Sequence, residues 1–178
     1  MLNIFISDLG RYNAGELTGK WYDMETEEGR EEAAQAVADI EENGSGEYFI
    51  SDYESDWADI SASIGGFEEI AEVMAQVDEL NETDKEIFKA VYSLEMYDMD
   101  DILRIVRDCE YIFVDVEEWA KTLEDPFTNL AKYYVDSGLI EVGGIAERYF
   151  DYEKFGRDLE LNGATYAEVT DGYIFLDY

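Results

Sequence analysis

Short apolar runs at residues 2–6 (LNIFI) and 18–24 (TGKWYDM) predict two β-strands, joined by a loop that contains the stretch RYNAGEL. The period then changes. Ala33, Ala34, Val37 and Ile40 recur at spacings of three and four, which predicts one face of a helix over 27–42, with Asn43-Gly44 as its stop. A third strand at 47–53 (EYFISDY) completes a ββαβ pattern. Residues 54–62 are acidic and irregular, and Ser63-Ile64-Gly65-Gly66 marks a boundary.

Helical spacing dominates the next segment. Phe67, Ile70, Ala71, Met74 and Val77 form one apolar face. Thr83 and Glu86 make a capping-box pattern ahead of Ile87, Phe88 and Val91, and a third short helix is expected over 99–107 with Ile102, Leu103 and Val106 inward. Residues 110–116 (EYIFVDV) read as a strand, followed by helices at 117–123 and 127–137. Pro126 fits a first-turn position, and Gly138 fits the helix end. After short helical pieces near 145–150 and 152–159, strands at 164–170 and 173–178 flank Asp171-Gly172, a hairpin signal. The fold class that follows is α+β, in three small modules: 1–62 (α+β), 63–107 (helical) and 108–178 (α+β).

Charge changes this picture most. The 178 residues hold 45 Asp and Glu against 12 Lys and Arg, a formal charge of −33. Strong acidity with few aromatics would mean disorder. Here 47% of residues are hydrophobic and 15% aromatic, so a core can form and the charge must cover a folded surface. The three modules carry −13, −8 and −12, so the acidity runs along the whole chain and favours an extended body over a compact one. DNA carries one charge per ~1.7 Å of axis, so this charge equals that of roughly 56 Å of duplex. Partners with basic surfaces are expected, and nucleic acid and anionic membranes are not.

Chemistry narrows by elimination. With no His, Ser-His-Asp and Cys-His catalysis and His-containing zinc sites are excluded. One cysteine excludes an intrachain disulfide and a thiolate zinc site. Cys109, beside a predicted strand, is expected in the core. Asp52, Glu54, Asp56 and Asp59, and likewise Asp98, Asp100 and Asp101, lack the glycine and terminal glutamate of a calcium loop at the right offsets. Gly44-Ser45-Gly46 has no following Lys and reads as a loop; Gly15, Gly19, Gly65, Gly66, Gly143 and Gly144 read as turns. No pattern calls for a metal or a cofactor, and no carboxylate pair is singled out for glycosidase chemistry. No apolar run approaches the ~18 residues of a membrane span, and no signal peptide is evident. Together with the single cysteine, this gives a cytoplasmic expectation.

Motifs supply what composition does not. The opening IFISDLGRYNAGELTGKWYDM carries an L-x-x-Y-x-x-G-x-L-x-G-x-W pattern at Leu9, Tyr12, Gly15, Leu17, Gly19 and Trp21. YFISDYE at 48–54 and the block LAKYYVDSGLIEVGGIAERYFDYEKFGRDLEL follow in order. These features resemble the ArdA-type antirestriction proteins from end to end. The resemblance implies an elongated homodimer from a mobile genetic element. It implies a DNA mimic that fills the DNA-binding groove of type I restriction–modification enzymes, inhibiting restriction and modification without catalysis. The acids expected to stand for phosphates are Glu31, Glu32, Asp39, Glu41 and Glu42; Asp52, Glu54, Asp56 and Asp59; and Glu68, Glu69, Glu72 and Glu79. Leu130, Ala131, Tyr133, Tyr134, Gly138, Leu139 and Ile140 match the antirestriction motif, whose apolar character suits a dimer interface or core packing. The alternatives are an acidic structural or halophilic protein with no defined target, and a carboxylate-dependent enzyme.

Overall fold

The computed structural model describes residues 1–55 and 66–177. The chain forms two compact units, one within residues 1–85 and 92–103, the other from residues 86–91 and from residue 104 onward. The fold is α+β, as the sequence pattern predicts.

The first unit begins with β1 (Leu2–Asp8), α1 (Leu9–Asn13), β2 (Gly19–Asp23), α2 (Glu27–Asn43) and β3 (Tyr48–Ser55). The strands form an antiparallel sheet in the order β2-β1-β3, so the first strand lies at the centre. Alternation buries Leu2, Ile4, Ile6 and Tyr22, and α2 packs on the sheet with Ala33 and Val37 buried. The Lys20 ammonium of β2 reaches Glu32 of α2 at 2.6 Å, on the same face as the buried Tyr22. Next come α3 (Phe67–Asp78), α4 (Glu82–Tyr92) and α5 (Met99–Arg107), the last two contributing residues to both units. Phe67, Ile70, Val73, Met74 and Val77 line the buried stripe of α3, and Arg30 of α2 pairs with its Asp78 at 2.6 Å.

The second unit contains β4 (Ile112–Asp115), α6 (Glu118–Lys121), α7 (Pro126–Asp136), a 3-10 turn (Ala146–Tyr149), α8 (Tyr152–Leu161), β5 (Thr165–Val169) and β6 (Gly172–Leu176). Its sheet order is β4-β6-β5, antiparallel throughout, and every residue of the central strand β6 is buried. Ile112, Val114, Val116, Phe127, Leu130, Tyr173 and Phe175 pack as one core. Helices α7 and α8 approach closely because Gly156 has no side chain: a Cβ there would stand 2.5 Å from the Phe127 carbonyl oxygen.

Several details depart from the sequence reading. Part of the expected loop RYNAGEL is the helix α1, too short for periodicity to reveal; it forms because the Asp8 carboxylate accepts from Arg11 N–H at 3.0 Å. Gly19 is the first residue of β2 and not a turn. Helix α4 is capped by Asn81, which accepts from Asp84 N–H at 3.0 Å, while Glu86 of the expected box binds Thr170 instead. Ala34 is exposed on α2. Cys109 is exposed and not a core residue. It sits beyond the end of α5 with φ of 52°, where Cys109 N–H bonds to Val106 and Glu110 N–H to Ile105, so the helix-terminating turn claims it before the strand begins.

Candidate interaction surface

The acidic residues divide by how they are held. Asp8 is structural. Its carboxylate accepts from Arg11 N–H and Ser45 N–H, both at 3.0 Å, which fastens the end of β1 to the turn before β3. Hydrogen bonds from the Ser45 hydroxyl, then from the Arg11, Ser45 and Gly10 backbone, outweigh the opposing desolvation and hold its pKa at about 2.

The acids expected to face a partner are arranged differently. On α2, Glu31, Glu32, Asp39, Glu41 and Glu42 are all exposed. On β3, Asp52 and Glu54 are exposed, while Asp56 and Asp59 lie outside the described residues. On α3, Glu68, Glu69 and Glu72 are exposed between the buried apolar positions, and Glu79 is exposed at the C-cap. Several of these groups have internal partners: Glu32 pairs with Lys20, Asp39 accepts from the Gln35 amide at 3.5 Å, Asp52 accepts from Tyr53 N–H at 2.9 Å, and Glu68 accepts from the Tyr48 hydroxyl at 2.6 Å. Desolvation and that carboxylate raise the Tyr48 pKa to about 12. Glu69 and Glu72 share a cavity of about 270 Å³ with Asp98 and Asp100, a grouping that sequence spacing alone did not bring together. Among the described residues, no three acidic or thiol groups are gathered to hold a metal.

Local helix physics accounts for only part of this distribution. Carboxylates in a first turn are favoured by the helix dipole, as Glu27 and Glu28 are on α2 and Glu68 and Glu69 on α3. Asp39, Glu41 and Glu42 lie near the C-terminal end of α2, and Glu79 caps the end of α3, where the dipole opposes them; neither last turn holds a base. These acids are therefore kept against a local cost.

The apolar motif near residue 130 is mostly internal. Leu130 and Ala131 are fully buried, and Tyr133 and Tyr134 pack against the core of the second unit. Gly138 follows the end of α7 with φ of 76°, a conformation that favours glycine, and Ile140 N–H then bonds to the Tyr134 carbonyl. Leu139 stands 59% exposed on that turn.

The sequence profile of the antirestriction protein (ArdA) family matches residues 4–175. The chain belongs to the ArdA family. It is thus an antirestriction protein, of a family that inhibits restriction enzymes. No curated protein matches the chain. Within this ArdA protein, no described helix is long and apolar enough to cross a membrane.

Proposed function

We propose that this ArdA protein is a DNA mimic that occupies the DNA-binding groove of the methyltransferase core of type I restriction–modification enzymes. The observation that carries the reading is the family match over nearly the whole chain. The exposure of every described acid on α2, β3 and α3 supports it. DNA-binding proteins direct many contacts to the backbone, so carboxylates that replace phosphates can engage the same Lys and Arg without imitating bases. Binding then displaces counterions, ignores the enzyme's recognition sequence, and blocks both restriction and modification in the cytoplasm of the host. In this reading the modules 1–62, 63–107 and 108–178 display the charge, and the motif around Leu139 supports a homodimer.

The test is titration of a type I methyltransferase core with the intact protein. Expected are stoichiometric binding, competition by duplex DNA of any sequence, and weakening with added salt. A single neutral substitution, such as Glu72→Gln, changes the affinity less than about fivefold, because an exposed ion pair contributes only ~0–1 kcal/mol. Absence of binding at low salt overturns the proposal. Folding confined to molar salt would favour a halophilic protein instead.

A further inference from the structure

The outer face of the first sheet is an aromatic platform edged by carboxylates. Alternation places Phe5 of β1 opposite the buried side chains of Ile4 and Ile6. Its cross-strand partners are Trp21 of β2 and Asp52 of β3. Along the same face, Asn3 pairs with Asp23 and Glu54, and Ser7 pairs with Gly19 and Phe49. The rings hold one another in place. Phe5 meets Trp21 edge to face at 5.1 Å, and Tyr12 meets Phe49 in the same way at 5.0 Å. Gly19 leaves the room this needs, since a Cβ there would stand 2.2 Å from the Phe5 ring. Trp21 is 38% and Tyr12 45% exposed, and Asp23, Asp52 and Glu54 are exposed beside them.

The nearby cations are turned to the other face. Lys20 reaches across to Glu32, and Arg11 and Lys20 line a groove against α2 with Tyr22 and Asp39. Among the described residues, the platform therefore combines aromatic rings and carboxylates, while Lys20 of the same strand is directed to the opposite face. Single-stranded nucleic acid also stacks on aromatic rings, but its phosphates would meet these acids. A second copy would set like charge against like. A guanidinium suits both elements: it stacks flat on an indole and donates to carboxylates.

We infer that this face docks an arginine-bearing segment of the partner protein, with Trp21 as the stacking surface and Asp52 and Glu54 as charge partners. The inference rests on the proposed function and adds to it a contact that phosphate mimicry alone does not provide. Stacking is less sensitive to salt than ion pairing.

The test titrates the intact chain with a nona-arginine peptide and a nona-lysine peptide, followed by ¹H–¹⁵N NMR. The arginine peptide should shift the Trp21 indole and the Asp52 and Glu54 amides, and bind more tightly than the lysine peptide. Trp21→Leu should weaken it roughly three- to thirtyfold. Leu161→Ala, at an exposed apolar residue of α8, should leave it unchanged. Circular dichroism reports whether Trp21→Leu is folded; if it is not, the double variant Asp52→Asn/Glu54→Gln takes its place, with lower affinity expected. The inference is overturned if shifts spread over α2 and α3 while Trp21 stays still, or if the folded variant binds like wild type. Peptide docking here, with no binding to a methyltransferase core, would keep this inference and overturn the proposed function.

Discussion

At the scale of single residues, Asp8 and Cys109 show how local bonding decides the role of a side chain. The Asp8 carboxylate titrates at about 2, below the ~3.9 of an unperturbed aspartate. A lowered pKa in the folded state adds stability that is fully present above about pH 4 and lost as pH falls toward 2. The melting-temperature gap between wild type and Asp8→Asn should therefore be widest near neutrality and close over that window. Constancy of the gap down to pH 2 would contradict the assigned role. Cys109 holds a left-handed conformation that suits glycine. Cys109→Gly should raise stability by about 1 kcal/mol in urea unfolding, and Cys109→Val should lower it. The sequence hides this case, because the preference of cysteine for burial and the demand of a helix end for positive φ compete, and only the backbone path settles which wins.

Elements were far more legible than their joints. Periodicity located α2, α3, α5 and α7 and the terminal β5–β6 hairpin within a few residues, because each buries a continuous stripe or alternating face. It missed α1, which rests on one cap, and misplaced the cap of α4. Long-range polar contacts were invisible too, and the β5–β6 turn depends on them. Lys121 of α6, largely buried, donates to the carbonyls of Val169 and Thr170 at 2.7 and 3.1 Å and pairs with Glu118 and Glu168. Burial alone would lower its pKa, but the two carboxylates hold it above the ordinary value. On the amide side of the turn, Thr170 N–H donates to Glu86 at 2.6 Å. Removing the Lys121 charge while keeping an apolar stem, as in Lys121→Met, should cost about 2–4 kcal/mol, with amide exchange speeding first in β5 and β6. Unchanged exchange there would show that the ammonium is not what fastens the turn.

For the whole molecule, a net charge of −33 gives salt two opposite effects. Screening relieves repulsion among exposed carboxylates, so the melting temperature should rise between about 0.05 and 0.5 M NaCl, while affinity for a basic groove falls over the same range. Parallel responses would separate the acidity from the inhibitory role. The candidate surface was legible in the sequence as a supply of charge, since helix periodicity already set Glu69 and Glu72 between buried positions. Its layout was not, because the pairing of Glu32 with Lys20 and the cross-strand placement of Asp52 beside Phe5 and Trp21 depend on sheet register. That register has a consequence for synthesis. The first sheet has the earliest strand, β1, at its centre, so pairing can grow outward as the nascent chain lengthens. The second sheet has β6 at its centre, and β4 and β5 have no shared neighbour until that strand leaves the ribosome. At ribosomal speeds, the interval between completing β4 and completing β6 is about 3–12 s. Throughout it, the second sheet exposes unpaired edges that a nascent-chain chaperone would have reason to cover.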